Sequence, residues 1–135
     1  MTAEPGPSSK QSVLVVDDDI ELLDALEAAF KEAGDLQILA LANFDDAKRS
    51  LRTEKFDVLI TDVRLGAFNG LQLAVVARDT NPGIRVIIFS GFDDPVLRQD
   101  AERLGATFLT KPVMSSQLLQ LIRDVAGDGG GPPSG

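Results

Sequence analysis

Val58-Leu59-Ile60-Thr61-Asp62 is an apolar run that ends in a single carboxylate, and the loop Val63-Arg64-Leu65-Gly66-Ala67-Phe68-Asn69-Gly70 follows at once. A short apolar run bounded by turn residues fits a strand buried on both faces of a parallel sheet. In open α/β sheets, ligands sit beyond the carboxyl ends of the strands. This reading makes Asp62 the place for chemistry. Taken singly, such an Asp is as well explained by a helix cap or a solvated strand end, so the rest of the chain has to decide.

On either side of this stretch the chain alternates between strand and helix. Residues 13–16 are a short apolar run ending in Asp17-Asp18-Asp19. Leu22, Leu26, Ala29 and Phe30 then recur at helical spacing, with Asp19 as the cap and Gly34 as the stop. Residues 36–42 read as a second strand. Asn43 opens a helix to about Glu54, with Asp45 and Asp46 in its electropositive first turn. After the third strand, residues 56–61, Gly70 or a neighbour starts a helix over 71–79, closed by Asn81-Pro82-Gly83. Residues 84–89 form the fourth strand. Asp93 or Asp94 caps a polar helix over 95–104 with Pro95 near its first position, and Gly105 ends it. Residues 106–110 are the fifth strand. Ser115 or Ser116 starts a last helix, with Leu118, Leu121, Ile122 and Val125 on one face. The expected organisation is a flexible leader over 1–11, a folded domain over 12–126 and a flexible tail or truncated linker over 127–135. Five βα units predict an α/β, doubly wound, flavodoxin-like sandwich with parallel sheet order 2-1-3-4-5.

Composition removes several function classes. The chain has 135 residues, a single domain's worth, with 44% hydrophobic and 25% charged residues. Cysteine, histidine, tyrosine and tryptophan are absent, which excludes disulfides, thiolate or imidazole metal sites, a phosphohistidine carrier and a Ser-His-Asp hydrolase. No apolar run reaches membrane-spanning length and no signal-peptide core precedes the first strand, so the expected location is cytoplasmic. A net charge of −8 argues against nucleic-acid binding by this chain alone.

The strand ends carry the chemistry. The first ends in Asp17 and Asp18, the third in Asp62, the fourth in Ser90 and the fifth in Lys111. A parallel sheet puts all of these on one edge. Three carboxylates brought that close repel, so one is protonated or a cation sits among them. An oxygen-only cluster matches Mg²⁺ rather than zinc. An aspartate can then accept a phosphoryl group, with metal and lysine offsetting charge on the transferred oxygens.

In these features the chain resembles the receiver domains of two-component response regulators. The resemblance covers Ser12 to about Ala126. It rests on Val15-Val16-Asp17-Asp18-Asp19, Leu59-Ile60-Thr61-Asp62, Gly70, Phe89-Ser90-Gly91 and Thr110-Lys111-Pro112, all in order and at family-like separations. It implies that Asp62 is the phosphoacceptor, and that Asp18, Asp62 and the backbone carbonyl of Arg64 ligate Mg²⁺, with Asp17 acting through water. It also implies that Lys111 and Ser90 contact the phosphoryl group, that Phe108 is the switch aromatic and that the Lys111–Pro112 bond is cis. A phenyl at Phe108 lacks the frequent tyrosine's hydroxyl, so it would signal by shape, moving into space that Ser90 vacates. A sensor histidine kinase or a histidine phosphotransfer protein is the implied donor. A downstream partner or a second copy of the chain is expected on the face of the fourth helix, fifth strand and fifth helix.

The chain departs from the family pattern at Leu65-Gly66, where a proline commonly follows the apolar residue, and a glycine there is expected to loosen the loop. Arg64 and Phe92 flank the site at variable positions and are expected to tune dephosphorylation. Two rival readings lack support, and a third, a docking module that signals without phosphorylation, stays open though the residues argue against it. An aspartate-nucleophile phosphatase of the haloacid-dehalogenase type wants a second Asp two residues on, which Asp62-Val63-Arg64 lacks. A flavodoxin wants a phosphate loop after the first strand, where this chain is acidic. A receiver fold used only for docking has no need of intact Asp18, Asp62 and Lys111.

Overall fold

The computed structural model describes residues 10–128, of which 124–128 are described as helical backbone only. Five strands make one parallel sheet: β1 (Gln11–Val16), β2 (Leu36–Leu41), β3 (Val58–Asp62), β4 (Arg85–Ser90) and β5 (Thr107–Thr110). Five helices follow them in turn: α1 (Ile20–Ala33), α2 (Phe44–Thr53), α3 (Gly70–Thr80), α4 (Pro95–Arg103) and α5 (Ser115–Asp128). The sheet order is β2-β1-β3-β4-β5, the flavodoxin-like arrangement expected.

Alternation along the strands builds two cores. In β1, Val13 and Val15 point to one side and Leu14 and Val16 to the other, and all four are fully buried. One side receives Leu23, Leu26 and Phe30 of α1 with Leu118 and Ile122 of α5. The other receives Phe44, Ala47 and Leu51 of α2, Leu73, Ala74 and Ala77 of α3 and Ala101 of α4. The central strand β3 is buried along its whole length.

Several boundaries move. Gln11 pairs with Leu36 inside β1, so the sheet begins at the last residue of the expected leader. At the other end α5 runs on through Gly127 to Asp128. Residues 1–9 and 129–135 of the expected leader and tail, and the side chain of Val125, lie outside the described residues. In α1 it is Leu23 that lies deepest with Leu26 and Phe30, while Leu22 and Ala29 pack at the margin. Asp19 and Asn43 cap their helices as the sequence indicates, Asp94 rather than Asp93 caps α4, and Asn69 caps α3 through a reciprocal box with Gln72.

The loop after Asp62 differs from expectation. Arg64–Leu65 pairs antiparallel with Phe68–Asn69 in a small ribbon outside the main sheet. Gly66 turns it with φ 65°, a conformation that favours glycine. Glycine here supplies a defined turn rather than slack. At the opposite edge of the sheet, the Gln11 N–H donates to the Asp35 carbonyl at 3.3 Å and the Arg123 guanidinium meets the Asp35 carboxylate at 3.2 Å.

Candidate functional site

The parallel sheet delivers the strand ends to one edge, as the sequence requires. Asp17, fully buried, Asp18, exposed, and Asp62, 8% exposed, each bring a carboxylate oxygen within 4.8 Å of the others. The Asp19 N–H donates to Asp17 at 2.9 Å and so holds the buried carboxylate while Asp19 itself caps α1. The Arg64 N–H donates to an Asp62 oxygen at 3.3 Å. Lys111 Nζ reaches Asp17 at 2.9 Å and Asp62 at 3.3 Å, and the Lys111–Pro112 bond is cis.

Burial pushes the Asp17 carboxyl above its ordinary value, helped by the charge of Asp62 and opposed by the Asp19 N–H and Lys111. Burial works against the Lys111 ammonium too, but its bonds to Asp17 and the charges of Asp17 and Asp62 outweigh this, so its pKa is raised. The lysine is thus a fixed cation over an acidic cluster whose deepest member is costly to ionise.

The backbone around Asp62 is pinned. Val63 donates its N–H to Phe89 at 2.8 Å and accepts from the Gly70 N–H at 2.8 Å. A side chain at Gly70 would run into the Asp62 carbonyl oxygen, which already accepts from the Thr61 hydroxyl at 2.9 Å.

Ser90 is fully buried at the end of β4, and its hydroxyl accepts from the Phe92 N–H at 3.2 Å. Phe108, 6% exposed, lies opposite Ile88 in β5 with the Arg98 guanidinium 4.9 Å from its ring centroid. Arg98 in turn pairs with Asp93 at 2.7 Å. The phenyl ring is therefore already enclosed in this structure. Arg64 and Phe92 do meet, guanidinium to ring centroid at 5.2 Å. The structure brings Asp17, Asp18, Asp62 and Lys111 together and sets Ser90 on the same sheet edge.

A protein-family model for the response regulator receiver domain matches residues 13–123. The chain belongs to that family. It is a receiver domain of the kind found in two-component response regulators, and it is similar to longer proteins that carry one. The DNA-binding transcriptional regulator NtrC of Proteus hauseri is 33% identical over 114 residues, 84% of this chain and 24% of that protein. The phosphoglycerate transport system transcriptional regulatory protein PgtA of Salmonella typhimurium is 28% identical, again over 84% of this chain and 27% of that one. The chain spans about a quarter of the length of these relatives.

Solved structures share the receiver fold. A CheY-like receiver domain protein from Methanospirillum hungatei JF-1 superposes with a TM-score of 0.83 at 24% identity, covering 89% of this chain and 96% of that one. A response regulator from Burkholderia pseudomallei, solved with a phosphorylated aspartic acid, a calcium ion and citrate, superposes at 0.76 and 24% identity, covering 90% and 74%.

Sequence reasoning missed two groups at this receiver site. Arg98, which stacks on Phe108, was legible only as one charge on a polar helix. Phe68, which stacks on Phe44 with centroids 4.4 Å apart, sat in what read as an open loop. Its one signal was an aromatic two residues before a helix and two after a turn glycine.

Proposed function

We propose that this chain is a phosphoacceptor signalling domain in which Asp62 takes a phosphoryl group from the phosphohistidine of a sensor kinase or phosphotransfer protein, in the cytoplasm and with Mg²⁺ bound. The observation that carries the reading is the convergence of Asp17, Asp18 and Asp62 within 4.8 Å beneath the Lys111 ammonium. Three hard oxygen donors and no nitrogen or sulfur ligand fit a small divalent cation. Asp18 and Asp62, with the carbonyl of Arg64, would hold it directly and Asp17 through water. When bound, Mg²⁺ supplies positive charge to the oxygens of the transferred group.

In the step itself, an Asp62 oxygen attacks phosphorus, the new P–O bond forms as the donor's P–N bond breaks, and the released imidazole keeps the electron pair and takes up a proton. Lys111 offsets charge on the phosphoryl oxygens, and the Ser90 hydroxyl turns to donate to one of them. The chain acts on its own phosphoryl group and not as an enzyme toward other molecules. Any action on DNA would belong to a separate output domain, as the transcriptional relatives invite.

The test is mass spectrometry after incubation with Mg²⁺ and acetyl phosphate. The parent gains one phosphoryl group located to Asp62, and Asp62→Asn gains none. Equal uptake by Asp62→Asn would falsify the assignment.

A further inference from the structure

We propose that Phe68, outside the acidic cluster, is a positioning residue for the divalent-cation site, because its stack on Phe44 holds the backbone that leaves Asp62. The proposal rests on the cation reading given above.

Val63 is tied on both sides, by its bonds to Phe89 and Gly70. The next residue is Arg64, whose N–H holds an Asp62 oxygen at 3.3 Å, a long and therefore yielding bond. Its backbone depends on the ribbon it belongs to, which is two residues on each side of a turn at Gly66. An isolated two-stranded hairpin is marginal in water at any length, and this one is minimal. Something outside it must keep it in place. Leu65, 4% exposed, enters the core from one strand. From the other strand Phe68 lays its ring on Phe44 at 4.4 Å and 13° between planes.

Phe44 is a firm support, being 7% exposed and the first residue of the Asn43-capped helix α2. Phe68 is 42% exposed, so burial alone does not explain its position. A ring lying parallel on a buried ring is held rather than displayed, and offset-stacked aromatic pairs are favoured beyond their area. Without the ring, the ribbon frays and the Arg64 amide no longer fixes the Asp62 carboxylate. Cation binding must then order that segment as well, and affinity falls. Groups that orient ligands from behind typically change metal affinity by about tenfold or more.

The test is calorimetric titration of the purified chain with Mg²⁺ alone. Phe68→Ala and Phe68→Leu should bind about tenfold more weakly than the parent. Phe68→Tyr, which keeps the ring, should match the parent. Val75→Ala, at another exposed apolar residue, on α3 and not part of the Phe44–Phe68 stack, should also match it. Phe68→Leu or Phe68→Ala binding at parental affinity overturns the proposal, as does an equal loss in Val75→Ala. A parent that binds no Mg²⁺ overturns the cation reading and this proposal together. Binding that Asp18→Ala abolishes and Phe68→Ala leaves intact overturns this proposal alone.

Discussion

Lys111 Nζ lies closer to Asp17, at 2.9 Å, than to Asp62, at 3.3 Å. The ammonium therefore leans on the buried carboxylate and shares the acidic cluster that a divalent cation would enter. Lysine and cation compete for the same oxygens. Lys111→Ala should consequently bind Mg²⁺ more tightly, by roughly tenfold, an ordinary size for coupling between neighbouring sites. It should nevertheless take up phosphoryl far more slowly, because the transferred oxygens lose their fixed partner. Calorimetry and phosphorylation time courses on one preparation read both, and weaker Mg²⁺ binding by the variant would contradict the competition.

Asp17 gives a pH signature. Its folded-state pKa is raised from 3.8, chiefly by burial. Between 3.8 and its raised folded-state value, the folded chain therefore holds a proton that the unfolded chain has lost. Stability attributable to Asp17 falls as pH rises from 3.8 through the folded-state value. In chelator, Asp17→Asn should show a flatter stability profile than the parent as pH rises above 3.8, with the difference growing in its favour until the folded-state carboxyl has ionised. Urea melts across that range check it, and parallel profiles would show that burial does not dominate.

Mg²⁺ should raise the parent's melting temperature in a concentration-dependent way. A ligand that binds only the folded state adds about 2.7 kcal/mol when present at a hundred times its Kd. Asp18→Ala, at an exposed side chain, should fold normally and lose the rise. Scanning calorimetry at increasing Mg²⁺ reads this, and an unchanged response in Asp18→Ala would remove that residue from the ligand set.

Gly70→Ala should destabilise by about 1–3 kcal/mol, the usual cost of forcing an added methyl group into filled space. The new Cβ meets the carbonyl of Asp62 and lies 3.1 Å from Thr61 Cγ2, and neither is a flexible side-chain tip. Chemical denaturation measures the loss, and a variant as stable as the parent would mean that the α3 N-terminus yields.

The output face can be tested at Ser90. Phe108 is already enclosed beneath Arg98, which Asp93 restrains. A change there would have to free Arg98 from the ring and from Asp93. Beryllofluoride with Mg²⁺, a phosphoryl mimic, should shift amides of α4, β5 and α5 in the parent, and Ser90→Ala should confine the shifts to the loops beside Asp62. Full-size shifts on that face in Ser90→Ala would sever the proposed link through the hydroxyl.

What could be read in advance follows from the kind of signal involved. Apolar periodicity and capping residues act locally, so the five βα units and the caps at Asp19, Asn43 and Asp94 were legible. The acidic cluster was legible because a parallel sheet forces strand ends onto one edge whatever the loops do. The ribbon after Asp62 was not. Its two strands are two residues each, too short to show alternation, and Gly66 reads equally as a loose joint or a tight turn. The pairs Phe68–Phe44 and Arg98–Phe108 join elements distant in sequence or faces that look merely polar. Only the assembled fold sets them side by side.

Asp35 has a practical consequence. Its carbonyl receives the first strand at Gln11 and its carboxylate receives the later part of α5 at Arg123, so the start of β1 and the later part of α5 are tied to one residue, at the far rim from Asp62. A surface tether or fluorophore attached through either extremity would leave the acidic cluster facing outward. Joining the two through a short flexible bridge and reopening the chain elsewhere is geometrically reasonable, since folds whose extremities lie close together tolerate permutation. The solvent-exposed segment around Pro82-Gly83, between α3 and β4, is the natural place to cut.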